Sequence, residues 1–516
     1  MVWSRANSGV SEGWRLFIHR GISVKQPVRP LLGALTALAL VGAACSSDDD
    51  SSSDGTEAPS AEVTEAPEET DPPSTDTSES TDPPSADGSE SSDPPASDAP
   101  AEDEYPDRDT FVPISDVPGV SDDQIAYASL ATKANNPLGT DIKDAYNEGI
   151  NAYFAWRNSE GGIYGRELAL PDEIDDEFTS NQAKALEIIG ADDRFGVFVA
   201  TLLFSGAEDL EDAGIPTYVW NISSAEVNGR TNLFGHTAVS CPAGCTARVK
   251  PYLANSVGAE KIGILGYGVS ENSKQGAITD RASFELYESE TGASVVYFND
   301  DLAFGLPNGI GPEVTAMKDA GVDFVATSID LNGMKTLAQE MQRQGMDDVV
   351  LYHPNTYNQE FVAEAGDLFN GDLVVPSFLP FEYDTDLEAQ KKFFEFMEAQ
   401  GSDLSELAMI GWLNADLAFT GLLEAGPEFD QASVIAATNE LTEYDAGGLI
   451  NPIDWTRQHN GPTPDDQTTN GYLQECFSAV LVEGSVFVNI GDPKLPFLCW
   501  SNETKDFAEP VPTDFG

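Results

Sequence analysis

Cations are scarce in this chain. Across 516 residues, 26 Lys and Arg face 88 Asp and Glu, a formal net charge of −62. Phosphate backbones need a basic face, so nucleic acid is excluded as a partner. Only four histidines are present, and His236 and His353 stand apart from any other ligand type, which argues against a metal centre. Long apolar runs are missing too: Leu31 to Val41 is too short to span a membrane as a helix. From Ser46 onward no G-x-S-x-G, Walker loop or H-E-x-x-H occurs. Gly266-Tyr-Gly268 lacks the third glycine of a dinucleotide fingerprint, and acids are so frequent that paired carboxylates carry no information. The chain reads as a non-enzyme without a cofactor.

What is present begins with an export signal. Lys25 and Arg29 precede the apolar run, which ends in Val41-Gly42-Ala43-Ala44-Cys45. That ending resembles a bacterial lipobox with Cys45 as the lipidated residue; the alternative is a plain secretory signal with an incidental cysteine. From Ser46 to Asp107 the chain holds 21 acids, no base and almost no branched or aromatic residue. Such a segment cannot bury enough surface to offset its ordering entropy and reads as a disordered tether. It spans roughly 40–50 Å on average. The remainder still carries −45. Either a high-salt habitat or simple solubility accounts for that surface.

Four cysteines follow Cys45: Cys241, Cys245, Cys476 and Cys499. In an exported protein they suggest disulfides, and of the three connectivities the nearest-neighbour pairs Cys241–Cys245 and Cys476–Cys499 are expected. C-P-A-G-C is not a redox C-x-x-C, and the second pair lacks zinc spacing.

The folded part is organised around Asp144 to Leu170. Tyr146, Ile150, Tyr153 and Phe154 form one apolar helical stripe. Gly161-Gly162 stops the helix, Gly165 turns the chain, and Arg166 to Leu170 alternate as a strand. The grammar continues: strands at Gln124–Leu130, Gly196–Ala200, Thr217–Trp220, Lys261–Leu265, Ser294–Phe298, Asp323–Thr327 and Asp348–Tyr352 alternate with helices. This predicts an α/β fold with parallel sheets and right-handed crossovers. Capping boxes are expected at Thr179-x-x-Gln182, Ser205-x-x-Glu208 and Ser223-x-x-Glu226.

The motif N-A-x-x-x-x-x-N-x-x-G-G-I-x-G-R, from Asn151 to Arg166, resembles the first α/β unit of type I periplasmic binding proteins. The similarity is to the branch that binds leucine, isoleucine, valine and other amino acids or amides, and it continues from about Gln124 to the C-terminus. The resemblance implies two Rossmann-like lobes joined by three hinge crossovers. Residues 1–44 would be the signal peptide and 45–107 the tether. Residues 108–238 with 377–447 would form lobe 1, and 239–376 with 448–516 lobe 2. It further implies a lipid-anchored, extracytoplasmic binding protein of an ABC importer, with a small solute and a membrane permease as partners. A ligand-sensing receptor of the same fold, or a surface protein with a lost solute site, are the alternatives.

Ligands of such sheets sit beyond the carboxyl ends of strands, at helix N-termini. Ser205, and the pair Asn221 and Ser223 with Ser224 beside them, match the family's holders of a ligand carboxylate and ammonium. Thr132 to Asn136 match a ligand-lining loop. Asp330 after its strand offers a negative charge, and Asn355 stands where some relatives carry glutamate. Trp220, Tyr267, Tyr352 and Tyr357 lie at strand ends, positions that suit either stacking on a ligand or core packing. Gln275-Gly276 replaces the family's Tyr-Gly, and Cys241 stands opposite an acid, so amino acid, amide, urea-like and aromatic-acid ligands all remain open.

Overall fold

Helix α1, Lys143–Ser159, forms where the sequence places it, and its stripe of Tyr146, Ile150, Tyr153 and Phe154 is buried. The computed structural model describes residues 108–220, 226, 229–237, 245–354, 357–459 and 472–516. Gly161 and Gly162 end the helix with φ of 104° and 70°. Gly162 is obligatory for a second reason: a Cβ there would lie 2.0 Å from the Arg166 carbonyl oxygen. Arg166 itself does not belong to the strand. Its side chain, 1% exposed, turns back and donates to the carbonyls of Ser121, Tyr164 and Val112 at 2.7, 3.1 and 2.8 Å.

The first sheet is parallel throughout, in the order β2-β1-β3-β4-β5. Its strands are β1 (Gln124–Ala131), β2 (Glu167–Asp175), β3 (Gly196–Ala200), β4 (Thr217–Val219) and β5 (Leu233–Phe234), with α2 (Asn181–Ala191) and α3 (Ala207–Asp212) between them. β3 is buried along its whole length, as a strand covered on both faces must be. The second half repeats the plan: α4 (Val249–Val257), β6 (Lys261–Tyr267), α5 (Glu271–Thr291), β7 (Ser294–Leu302), α6 (Gly311–Ala320), β8 (Phe324–Ser328), α7 (Leu331–Gln344), β9 (Val350–His353), α8 (Gln359–Ala365) and β10 (Leu373–Val374).

After β10 the chain makes α9 (Glu388–Gln400), α10 (Glu406–Ala425), α11 (Gln431–Thr438) and α12 (Trp455–Gln458). α10 packs on α1 at very short range. A Cβ added to Gly149 would lie 1.8 Å from the Ala408 carbonyl oxygen, and one added to Gly411 2.0 Å from that of Tyr146. Two glycines facing each other let the helix backbones meet, and Trp156 stacks on Trp412 beside them with ring centroids 5.4 Å apart.

The C-terminal part departs from the βα alternation. β11 (Gln474–Phe477) pairs antiparallel with β14 (Phe497–Ser501), which carries β15 (Val511–Thr513) in a separate three-stranded sheet. Between them β12 (Val480–Glu483) and β13 (Val486–Asn489) form a hairpin that extends the second sheet antiparallel from β10. Cys476 and Cys499 lie directly opposite and form the expected disulfide, with Cα atoms 4.1 Å apart. Cys245 is buried and disulfide-bonded, while Cys241 and Cys45 lie outside the described residues. Replacing Cys476 and Cys499 together by alanine should lower stability by about 3 kcal/mol, because the bond closes a loop of 23 residues. Denaturant unfolding of the double variant checks this; an unchanged midpoint would mean the strand pairing suffices alone.

Two expected capping boxes do not form. The N-cap of α2 is Ser180 and that of α3 is Gly206, neither with a side-chain cap. Asn181 instead holds the loop before α3: its Oδ1 accepts from the Ser205 backbone N–H and hydroxyl at 2.8 and 2.9 Å, and its Nδ2 donates to the Leu203 carbonyl. The Ser223 box lies outside the described residues. No helix among the described residues is long and apolar enough to cross a membrane.

Candidate functional site

A cavity of about 690 Å³ lies where the carboxyl ends of the two sheets face each other. From the first sheet come the loop after β1, with Leu138 to Ile142, then Leu202 after β3 and Trp220 after β4. From the second come Tyr267 at the end of β6, Phe304 after β7, Ser328 to Asn332 after β8, and Pro354 after β9. In both sheets this is the place where strand order reverses, around β1 and around β6, so neighbouring loops diverge and leave a crevice.

Asp330 is held rigidly. It caps α7, its Oδ2 accepting from the backbone N–H groups of Asn332 and Gly333 at 3.0 and 3.2 Å, while the Tyr267 hydroxyl donates to Oδ1. Gly333 must be glycine, since a Cβ would lie 2.5 Å from the Tyr267 hydroxyl oxygen. Burial pushes the Asp330 carboxyl above its ordinary range, opposed by those hydrogen bonds, and raises the Tyr267 phenol as well. Phe304 braces the Tyr267 ring edge-on at 5.1 Å and stacks on Phe178 at 6.3 Å. Asn332 Nδ2 donates to the Leu138 carbonyl, so the two sides of the crevice touch through a hydrogen bond and a ring pair.

The lining is acidic. Asp141, Glu148, Asp330, Glu360, Glu364, Asp403 and Glu406 border the cavity, and among the described residues no Lys or Arg does. Burial raises the Glu148 carboxyl, and the nearby carboxylates of Asp141, Asp144 and Asp403 add to it. Glu406, the first residue of α10, is pushed up to about 8 by burial, partly offset by a backbone hydrogen bond from Tyr357. Its ordinary value is 4.5, so between those limits the native state binds more protons than the unfolded chain. Glu406 therefore contributes stability in full below about pH 4.5, and the contribution is lost as the pH rises towards 8. Glu406→Gln should flatten the stability profile between pH 5 and 8, measured by urea unfolding across that range; a variant as pH-sensitive as the parent would contradict this.

The periplasmic binding protein family model matches residues 137–474, well over half of the chain. The chain belongs to the periplasmic binding protein family. Similar solved structures include a fatty acid ABC transporter substrate-binding protein from Thermomonospora curvata. It has 16% identity and a TM-score of 0.54, covering 74% of this chain and 95% of that one. A branched-chain amino acid ABC transporter protein from Thermus thermophilus with bound valine has 15% identity and a TM-score of 0.54, covering 72% and 96%. An ABC transporter solute-binding protein from R. palustris in complex with 4-hydroxybenzoate has 18% identity and a TM-score of 0.52, covering 71% and 95%. At such identities the likeness shows the α/β fold with parallel-rich sheets. No curated protein sequence matches significantly.

In this periplasmic binding protein, Trp220, Tyr267 and Asp330 meet in the one cavity, as does Tyr357, whose hydroxyl donates to Glu382. Ser205 is exposed and does not line the cavity, being held by Asn181. Thr132 and Asn136 serve the β1 loop instead: Thr132 Oγ1 accepts from the Leu202 N–H, and Asn136 bonds to Thr140 and Leu138. Gln275 donates to Glu271 on its own helix. Tyr352 lines a second cavity, taken up below. Asn221, Ser223, Ser224 and Asn355 lie outside the described residues. Sequence reasoning missed Glu406 and the stretch from Leu138 to Ile142. The sequence signal for Glu406 was Ser405, which caps α10 by accepting from the Ala408 N–H and so fixes the following acid at the helix start. Among the described residues no group of three or more potential metal ligands gathers.

Proposed function

We propose that this binding protein is the substrate-binding component of an ABC importer, and that it takes an amino acid or a related small amide between two closing lobes. The supporting observation is the cavity between the strand ends of both sheets, lined by seven Asp and Glu side chains, of which Glu406 alone is pushed up to about 8, and no Lys or Arg among the described residues. A carboxylate-lined, partly desolvated crevice repels anions and favours a solute that presents an ammonium group. Trp220 and Tyr267 add aromatic faces to such a cation. Asn221, Ser223, Ser224 and Asn355 are the carried-over partners for the other pole of the solute.

The lobes are read as 108–238 with 377–447 and 239–376 with 448–516. The assignment is supported by the confinement of β1–β5 to one sheet and β6–β10 to the other. A solute that bonds to both sides binds the closed form more tightly and shifts the population towards it, which a membrane permease then recognises. Cys45 would carry the lipid anchor, with the acidic tether holding the lobes away from the membrane.

The test is thermal unfolding of residues 108–516 against amino acids, amides and small organic acids. A solute at a thousand times its dissociation constant should stabilise by about 4 kcal/mol. Stabilisation by amine-bearing solutes but not by simple organic acids supports the reading; stabilisation by organic acids alone, or silence across the panel, overturns it.

A further inference from the structure

The 690 Å³ cavity already falls within the range of about 300–1,000 Å³ typical of drug-sized ligands, and a free amino acid would leave most of it empty. It also does not end at its inner wall. A second cavity of about 450 Å³ adjoins it, and Trp220, Asn272, Pro354 and Glu406 border both. Glu475, Cys476, Phe477, Ser478 and Phe497 wall the second cavity on one side. All five lie beyond residue 474, where the match to the family model ends.

The chemistry of the second cavity differs from that of the first. Apart from Glu406 at the shared border, its charges are already matched: Lys250 pairs with Asp280 and sits 4.6 Å from the Tyr352 ring centroid, and Glu475 pairs with Arg248 at 2.9 Å. Apolar surface comes from Tyr352, Val375 and Phe497. Buried polar atoms are left over in its wall, Ser478 Oγ and His236 Nδ1 among them. His236 is 4% exposed; its Nε2 bonds to the Ser377 hydroxyl at 3.0 Å, and its Nδ1 has no partner. Burial lowers this imidazole to about 3, so it is neutral and offers Nδ1 to an uncharged group. An unpaired buried polar atom in a cavity wall is costly until a ligand or water satisfies it.

We infer that the solute is elongated, with an ammonium-bearing head in the first cavity and an uncharged, hydrogen-bonding amide tail that passes Glu406 and seats on His236 in the second cavity. A charged tail is disfavoured there because Lys250, Asp280 and Glu475 already have charged partners, and a desolvated unpaired ion costs more than it gains. The inference rests on the solute-binding reading of the first cavity.

Leucinamide and leucylglycylglycinamide, titrated calorimetrically into the protein, separate the two ideas, since only the longer probe reaches past the neck. The longer probe should bind at least tenfold tighter, and both His236→Ala and Val375→Trp should remove that gain while the shorter probe reports the first cavity alone. Thermal unfolding of each unliganded variant verifies that it is folded, and the two substitutions alter different walls. Equal affinities for the two probes, or a gain that survives both substitutions, overturn the inference and leave the first cavity as the site. Failure of both probes to bind overturns the inference together with the reading it rests on.

Discussion

Gly411→Val should cost on the order of 4 kcal/mol or more and leave little folded protein, although it adds only three carbon atoms. The cause is the α1–α10 crossing. The added Cβ would start 2.0 Å from the Tyr146 carbonyl oxygen and 3.2 Å from the Ile150 nitrogen, both backbone atoms that no rotamer change can move. The helices would have to separate by more than an ångström, unstacking Trp156 from Trp412 and stretching the 2.8 Å bond from Asn414 Nδ2 to the Tyr146 hydroxyl. Gly190 provides the contrast. It sits in α2 with nothing within 4 Å of an added Cβ, so Gly190→Ala should be neutral or stabilise by up to about 1 kcal/mol. Urea unfolding of both variants makes the comparison, and a Gly411→Val loss below about 1 kcal/mol would contradict the crossing described here.

Arg166→Met should cost about 3–5 kcal/mol, the range for removing a buried, hydrogen-bonded charge. The guanidinium ties three carbonyls together, two of them, Val112 and Ser121, in the segment that precedes β1. Its carbon lies 4.7 Å from the Phe111 ring centroid, so the same side chain also anchors that segment through an aromatic contact. Methionine fills the space but donates nothing, and each carbonyl left unpaired bears its own desolvation penalty. Arg166→Lys should not restore stability, since one ammonium cannot fork towards three acceptors. Limited proteolysis between residues 108 and 123 gives an independent readout: cleavage there should accelerate in both variants. Unchanged cleavage would mean the segment is held by other contacts.

The parallel sheets were legible because their strands are separated by helices with clear apolar stripes and glycine stops, as at Gly161-Gly162. The C-terminal strands β11 to β15 were not. They are three to five residues long, and β14 pairs with β11 across the intervening β12–β13 hairpin. Capping was misread at Ser205 because the helix starts one residue later, with Gly206 as its N-cap, while the Ser205 hydroxyl donates to Asn181, 24 residues away. Within the site, Asp330 and Tyr267 were visible as strand-end residues, but their mutual bond joins positions 63 apart in sequence. Glu406 was hidden for a similar reason: nothing local shows that α10 begins at the crevice.

The measurement that bears most directly on the central claim is hydrogen–deuterium exchange with and without the best solute from the unfolding panel. Solute bound between the lobes should protect amides on both sides together, in the stretch from Leu138 into the first turns of α1 and in that from Ser328 to Asn332. Protection confined to one sheet, or appearing only away from these loops, would contradict a solute site closed between two lobes.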